Sequence, residues 1–433
     1  MKFDNRGLAV STESEGAIRA IDHYSRELLS LGTDTAAVQA AADEYPDCAM
    51  LQACCASTYL YSQTTAGAKR AAPYLARAEI RFADLTERER VFIDAVKAGC
   101  AGDFEGALAL YEQIADRWPR DVIAAKLAEF HFFQTGLAAR QLELMRKAAA
   151  ANPDVSHVLA MHAFALELNA ERDRADEVAR TALAIDPDTM WAQHCRAHVF
   201  AGQSRIAEGI TVMEQYAPSW QKFNHYTVAH NWFHLATLYL NELRFDDVRN
   251  AYRKYIWGYS PNMVVEQTDA ILLLWYLELA GGKVDDEWRA IAPHIRANAH
   301  DTLFPFLNCI YVYALTRAGE SKEAASALAN MQRHAEKQTG GLAHVWSEVG
   351  LPLARGCVAF AAGDFDRASA LLEPILDKVP CVGGSDEQRG VFAESHLVSL
   401  INAGRKSEAR AALAGHINGR PETALERRWG GLI

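Results

Sequence analysis

The chain has 433 residues, of which 50% are hydrophobic and 23% are charged, and its formal net charge at pH 7 is −11. Phosphate binding needs clustered Lys and Arg, so this acidic balance argues against nucleic acid as a partner. The amino-terminal segment lacks the apolar core of a secretory signal, and the most apolar stretch, Ala270 to Ala280, is too short to span a bilayer. The eight cysteines are scattered without a CxxC pair, which favours reduced thiols in the cytoplasm. We therefore expect a cytoplasmic protein with neither nucleic acid nor a membrane as its partner.

The first part of the chain, residues 1–85, predicts an N-terminal helical cap. The segment Glu13 to Leu31 has apolar residues at helical spacing, and Ser11 and Thr12 stand where an N-cap belongs. Two further helices are predicted over Thr35–Glu44 and Cys48–Ser62.

A strict period follows the cap. Pro119, Pro153 and Pro187 are each separated by 34 residues, and Gly102 and Gly136 repeat the interval. Each proline follows a helical run and each glycine precedes one, which is typical of tetratricopeptide helix–turn–helix units. The period predicts an all-α fold, a tetratricopeptide-type α-solenoid that winds as a right-handed superhelix of helix pairs.

Beyond residue 205 the repeat lengthens. Its marker glycines, at spacings of 38, 44 and 41 residues, are Gly281, Gly319, Gly363 and Gly404. The pattern predicts roughly 22 helices, or about eleven pairs. Residues 86–419 are expected to hold the repeats and residues 420–433 a C-terminal cap, in one continuous solenoid.

Several segments carry a resemblance to a known family: Asp4-x-x-Gly7-x-x-x-Ser11-Thr12-x-Ser14, Leu85-Thr86-x-Arg88-Glu89, Val349-Gly350-Leu351-Pro352-Leu353 and Gly383-Gly384-Ser385-x-x-Gln388-Arg389-x-Val391-Phe392. Together with the histidine pairs described next and with Asp269, these segments resemble the tetratricopeptide repeat protein 38 family over nearly the whole chain. The resemblance implies the fold but no particular activity. The sequence departs from that family at Asn308 and Ile310, where its members tend to carry an acidic residue and a histidine.

Histidines are concentrated in one stretch of the repeats. Eight of the fifteen lie there: His131, His157, His162, His194, His198, His225, His230 and His234. The pairs His194/His198 and His230/His234 are spaced i, i+4, so the two members of each pair share one face of a helix. The tetratricopeptide register places most of these side chains, with Trp191, on the inner helices that line the concave groove. The predicted ligand-binding residues are His157, Trp191, His194, His198, His230, His234 and Asp269.

Three interpretations of these histidines stay open. They could be structural, hydrogen-bonded to one another and to Glu along a water-filled groove. They could instead bind an anionic or aromatic small molecule, or a chain terminus, with help from Trp191, Trp232 and Phe233, since histidine titrates near neutral pH. The third interpretation is a metal site. A divalent ion such as zinc would be held by His194, His198, His230 and His234. No Asp or Glu stands beside either pair in the sequence, so no metal or other cofactor is favoured, although Asp269 on the next inner helix is a candidate partner.

Two glycine-containing segments have local explanations. Pro352 lies inside a helical pattern from His344 to Ala361, which predicts a kink near Glu348. Ser385 and Gln388 form a capping-box pattern at a helix start, and no phosphate loop is indicated there.

The preferred function is binding of a small molecule or short peptide in the groove at the histidine-rich site. An enzyme that uses the same histidines for acid–base or metal-assisted hydrolytic chemistry is the alternative. A scaffold for another protein is a third possibility.

Overall fold

A computed structural model describes residues 1–340 and 343–433, and nearly all of its regular structure is helical. The exception comes first. Strands β1 (Lys2–Phe3) and β2 (Ala9–Val10) pair antiparallel, with Lys2 opposite Val10. These strands are two residues long, too short for any alternating pattern to predict them.

The described residues contain 23 α-helices. The first eleven are α1 Glu15–Ser30, α2 Ala37–Glu44, α3 Ala49–Thr58, α4 Thr65–Ala78, α5 Glu87–Cys100, α6 Phe104–Arg117, α7 Val122–Thr135, α8 Ala138–Ala151, α9 Ser156–Leu168, α10 Arg172–Ile185 and α11 Met190–Gly202. The others are α12 Ile206–Trp220, α13 His225–Asn241, α14 Phe245–Ala251, α15 Val264–Leu279, α16 Asp285–Ile295, α17 Pro305–Arg317, α18 Ser321–Lys337, α19 Leu351–Ala361, α20 Phe365–Leu372, α21 Asp386–Asn402, α22 Lys406–Ile417 and α23 Ala424–Leu432. Short 3-10 segments lie at Tyr59–Ser62, Phe82–Asp84, Asn298–His300 and Glu373–Val382, and π-helical segments at Tyr252–Ile256 and Val345–Gly350.

The 34-residue period appears directly in the backbone. Gly102, Gly136, Ala170 and Ser204 have φ angles of 79°, 69°, 61° and 54°, so the turn inside each of four successive pairs passes through the left-handed region. This conformation costs a residue that has a Cβ more than it costs glycine. Ala170 and Ser204 adopt it nonetheless, which is why glycine alone marks only half of these turns. The prediction of an all-α fold of tetratricopeptide-type helix pairs is confirmed.

Two local predictions need correction. The N-cap of α1 is Ser14, whose hydroxyl accepts the Ala17 N–H, and not Ser11 or Thr12. The Ser11 hydroxyl instead donates to Glu89 at 2.6 Å. Ser11 and Thr12, three and two residues before Ser14, satisfy the sequence rule for an N-cap equally well. The contact of Ser11 with Glu89 shows that Ser11 has a different role.

The predicted distortion near Pro352 takes the form of a π-helical turn. Val345–Gly350 is π-helical and leads directly into α19, in which Pro352 occupies the first turn. A Cβ on Gly350 would lie 2.8 Å from the Cβ of Pro305, so glycine allows α17 to approach closely. The segment therefore serves packing between helices. The capping box at Ser385 and Gln388 is confirmed at the start of α21.

The chain divides into two compact units. The first contains residues 1–133, 137–195 and 219–227, and the second contains residues 134–136, 196–218 and 228–433. Buried side chains of the first unit form a core that extends from Val10 to Ala165. In the second unit the Trp275 and Tyr313 rings stack with their centroids 3.5 Å apart, and the Trp288 ring meets Tyr313 edge-on. The predicted division at residues 85 and 419 stays a prediction.

None of the described helices combines the length and apolar character that crossing a bilayer requires.

Candidate functional site

A cluster of three histidines and two carboxylates lies inside the second unit. Helix α11 supplies His198, α13 supplies His230 and His234, α15 supplies Asp269, and α21 supplies Glu387. We call these five residues the histidine–carboxylate cluster. Four of the seven predicted ligand-binding residues belong to it, and Glu387 is an addition from the structure.

A continuous chain of polar contacts begins at Asp269. The Nδ1 atom of His230 lies 3.0 Å and 3.2 Å from the two carboxylate oxygens of Asp269. Because a carboxylate only accepts hydrogen bonds, this nitrogen carries the proton and His230 Nε2 faces His234. The two Nε2 atoms are 3.2 Å apart, and the ring planes are nearly perpendicular, at 87°.

The series of polar contacts continues from His234 to Glu387. His234 Nδ1 lies 2.5 Å from Glu387 Oε2, and the other carboxylate oxygen lies 3.9 Å from His198 Nδ1. The His198 and His234 rings are close, with centroids 4.4 Å apart. One nitrogen of His198, one of His234 and one oxygen of Glu387 all lie within 4.8 Å of one another, an arrangement that can hold a metal ion.

Burial makes this cluster electrostatically unusual. His234 is 0% exposed and Asp269 is 2% exposed. Burial, with a smaller contribution from repulsion by His230, holds the pKa of His234 well below its usual value, so the neutral ring is favoured. Buried ionisable groups of this kind are concentrated at functional sites, although structural networks contain them too.

Glu387 reaches the cluster because of the way α21 starts. Ser385 caps the helix, which places Glu387 in its first turn, and the Tyr276 hydroxyl donates to the Glu387 carbonyl oxygen. A Cβ on Gly383 would collide with the backbone of Gln134, and its φ is +91°, so this turn requires glycine. The turn formed by Gly383, Gly384 and Ser385 therefore positions Glu387 in the cluster.

The argument from sequence against a metal is wrong on one point. It found no acidic partner beside either histidine pair, but Glu387 contacts His234. Asp269, which was expected from the sequence as a candidate partner, contacts His230. Glu387 is 153 residues from His234, so no local spacing could reveal it. The available signal was the glycine-rich helix start that directly precedes it.

The other predicted ligand residues lie in the first unit. These are His157 on α9 and Trp191 and His194 on α11, and the last two rings meet edge-on with centroids 5.0 Å apart. Phe164 contacts His194 at 5.1 Å. Burial is the main cause that lowers the pKa of His157 to about 4. Of the four histidines predicted to bind a metal, His194 belongs to the first unit and His198, His230 and His234 belong to the second, and the four-histidine set stays a prediction.

Sequence reasoning missed a buried ion pair in the first unit. On α7, Lys126 Nζ donates to Glu129 Oε2 at 2.7 Å, and both side chains are almost wholly buried. The same ammonium lies 4.5 Å from the centroid of the Trp191 ring, in cation–π geometry. We call Lys126, Glu129 and Trp191 the lysine cluster. A lone lysine inside an apolar helix pattern gives no signal of such a partner.

The two other aromatic residues of the predicted pocket have packing roles. Trp232 stacks on Tyr255 with ring centroids 4.0 Å apart, and Phe233 is fully buried. The motif residue Arg88 forms a buried ion pair with Asp121 at 2.6 Å, and Asp121 also accepts the Ala124 N–H at the start of α7. Arg88 and Asp121 therefore stabilise the fold of the first unit.

A scan against models of known protein families finds no match. Among solved structures, the chain is similar to the human IFIT1 dimer with m7Gppp-AAAA, with 12% identity, 99% of this chain and 96% of that chain covered, and a TM-score of 0.45. A monomeric mutant of IFIT1 with Gppp-AAAA shows 13% identity, coverage of 95% and 99%, and a TM-score of 0.44. Naa15/Naa10 bound to HypK-THB matches with 13% identity, coverage of 96% and 65%, and a TM-score of 0.27. Similarity at this level is too low to transfer a function between proteins. The resemblance to the tetratricopeptide repeat protein 38 family, the cytoplasmic location and the absence of a nucleic-acid partner stay predictions.

Proposed function

We propose that the protein binds a small molecule or short peptide through the histidine–carboxylate cluster of its second unit. The observation that carries this proposal is the convergence of five ionisable side chains from four helices, of which four are buried and Glu387 is partly exposed. Removing such groups from water costs several kcal/mol each unless partners compensate. Apolar residues would fill the same space at lower cost, so the cluster is better explained by binding than by packing.

The test uses the purified full chain and a panel of small anions, aromatic acids and short peptides. Thermal shift identifies ligands, and calorimetry then compares the wild type with His230→Gln and with His344→Gln, an exposed histidine of the same unit. We expect His230→Gln to weaken binding by about tenfold or more, the size of a lost hydrogen bond to a charged group, and His344→Gln to have no effect. Equal affinities for all three proteins would refute the proposal. A partner protein that binds all three equally would favour the scaffold.

The lysine cluster is a second candidate binding position, favoured by its buried ammonium. Lys126→Met alone would leave the Glu129 charge buried and unpaired, which costs about 3–5 kcal/mol. The double variant Lys126→Met/Glu129→Gln removes both charges and is expected to fold. If a ligand uses this position, the double variant loses its binding while its melting temperature stays close to that of the wild type. Unchanged binding would assign the ion pair to stability alone.

The enzymatic alternative depends on the same side chains as the binding proposal. It stays a prediction, and turnover of any ligand found in the panel would decide it.

A further inference from the structure

A series of polar contacts leads from Asp269 to Glu387. Asp269 contacts His230 Nδ1, the Nε2 atoms of His230 and His234 are 3.2 Å apart, and His234 Nδ1 lies 2.5 Å from one Glu387 carboxylate oxygen. The other oxygen of Glu387 lies 3.9 Å from His198 Nδ1. Two imidazoles and one carboxylate from three helices therefore converge in one place.

The convergent atoms are of the types that bind divalent ions. One ligand atom from each of His198, His234 and Glu387 lies within 4.8 Å of the other two. Imidazole nitrogens and a carboxylate oxygen together are a suitable ligand set for a metal ion.

From this juxtaposition we propose that His198, His234 and Glu387 bind a divalent transition-metal ion of the zinc type. This inference rests on the proposed binding function and names the ion through which the ligand would be held. Two histidines and one glutamate are a known zinc ligand set that leaves a fourth position open. An oxygen atom of the small molecule or peptide would occupy that position.

The distances suit such an ion after small side-chain rotations. Tetrahedral ligands 2.0–2.1 Å from zinc lie about 3.3 Å from one another. The contact from His234 to Glu387 is shorter than this, at 2.5 Å, and that from His198 to Glu387 is longer, at 3.9 Å. Rotation of the Glu387 carboxylate towards His198 would change both distances in the required direction.

The surroundings also fit a metal. Ligating histidines commonly donate their second N–H to a partner that fixes the ring. Here His234 donates to His230, which donates in turn to Asp269. The two positioning residues therefore hold His234 with Nδ1 directed at the ion.

The decisive measurement uses the untagged full chain after removal of metals with a chelator. Titration with Co²⁺ is followed by visible absorption, and Zn²⁺ is measured by calorimetry and by competition with Co²⁺. We expect one equivalent per chain, a d–d spectrum of low coordination number, and displacement of Co²⁺ by Zn²⁺. Failure of the wild-type chain to bind stoichiometric metal would overturn the proposal without any variant.

Variants identify the ligands. Glu387→Gln and His198→Gln should each weaken Zn²⁺ binding by more than about 100-fold, beyond the loss typical of a supporting residue. Glu373→Gln and His344→Gln, both exposed in the same unit, should bind as the wild type does. Circular dichroism and the melting temperature of each metal-free variant show that it folds. Unchanged affinity in Glu387→Gln would assign any bound metal to another place.

The panel of organic ligands separates this proposal from the previous one. Ligands that bind the metal-free chain equally well, and are lost in His230→Gln, would preserve the binding function and refute the metal. Stoichiometric binding of zinc, with no organic ligand bound by the chain, would support the metal site and refute the proposed binding of a small molecule or peptide.

Discussion

Asp269 determines which nitrogen of His230 carries its proton, and through that choice it orients His234. Both of its carboxylate oxygens lie within 3.2 Å of the same ring nitrogen. An amide at this position keeps the shape and one acceptor but loses the charge that favours this tautomer. The effect of Asp269 on the cluster is therefore electrostatic as well as steric.

For this reason we expect Asp269→Asn to lower Zn²⁺ affinity about 10- to 100-fold while one equivalent still binds. The Co²⁺ spectrum should keep its type, because none of the three ligands changes. Calorimetry and absorption on the same protein give both values. A loss as complete as that in Glu387→Gln would mean that Asp269 is itself a ligand.

A second prediction at the residue scale concerns His157 of the first unit. Its pKa is lowered to about 4, from an ordinary value of 6.5, mainly by burial. The unfolded chain therefore binds a proton between these two values that the folded chain does not, so stability falls as the pH decreases through this window. At pH 5 the loss from this residue alone is up to about 2 kcal/mol.

Denaturant unfolding of the wild type and of His157→Gln at pH 7 and pH 5 measures this contribution. The variant should lose less stability between the two pH values, and His344→Gln should behave as the wild type does. His162, His334 and His396, whose pKa values burial also lowers, add to the fall in every protein. Parallel pH dependences of the wild type and His157→Gln would contradict the assignment.

Residue identity alone predicted part of the site. The i, i+4 spacing of His230 and His234 correctly put both rings on one helical face, and the centroids lie 4.7 Å apart. Glu387 and Glu129 could not be found in this way. The contact of Glu387 depends on tertiary packing across 153 residues, and that of Glu129 is an i, i+3 pair like many exposed ones.

At the scale of elements, the position of α21 against α15 depends on Gly390, although glycine is a poor helix former. Gly390 lies in the second turn of this helix, where an added Cβ would be 2.5 Å from the Tyr276 hydroxyl oxygen. That hydroxyl donates to the Glu387 carbonyl one turn earlier. The missing side chain thus lets α15 approach α21 at the turn that carries Glu387.

Gly390→Ala should therefore destabilise the protein, since overpacking costs about 1–3 kcal/mol and exceeds the gain in helix propensity of roughly 1 kcal/mol. Gly415→Ala in α22 is the matched control, because no heavy atom lies within 4 Å of its added Cβ. It should stabilise the protein by about 0.5–1 kcal/mol. Thermal and denaturant unfolding of the two variants should shift in opposite directions, and a shift in the same direction would show that Tyr276 yields easily.

The repeat elements were predictable because their signals are local. Proline ends a helix whatever its surroundings, so Pro119 correctly predicted the end of α6 at Arg117. The choice of Ser14 over Ser11 as N-cap was not predictable, since a contact with Glu89 on another helix decides it. Sequence patterns thus predicted whole helices better than their first residues.

At the scale of the whole molecule, the division into two units has no counterpart in the repeat pattern. A boundary falls between Cys195 and Arg196, inside α11. Each unit has its own buried core, and a period of 34 residues continues across the boundary because it reports only neighbouring helices. The sequence period therefore predicts the class of fold, but it does not predict where the chain divides into compact units.

The eight cysteines are distributed over both units, so their reactivity probes the burial of both cores. All are thiols, six are buried, and Cys100 and Cys381 are partly exposed. Burial raises the pKa of Cys100 to about 11 and raises that of Cys381 as well, so at pH 8 the thiolate fraction is small even at the two accessible positions. Reactivity of the native protein towards a thiol reagent should be low throughout.

With an aromatic disulfide reagent at pH 8, we expect at most two thiols to react in the native protein. The rate at Cys100 should be about 100-fold below that of an unperturbed thiol, because attack requires the thiolate. All eight should react within seconds in guanidinium chloride, and a reductant should leave the melting temperature unchanged. The order of the slow thiols then measures local opening, since Cys54 belongs to the first unit and Cys357 to the second. Rapid native reaction of more than two thiols would show that one of the two cores opens far more readily than its burial implies.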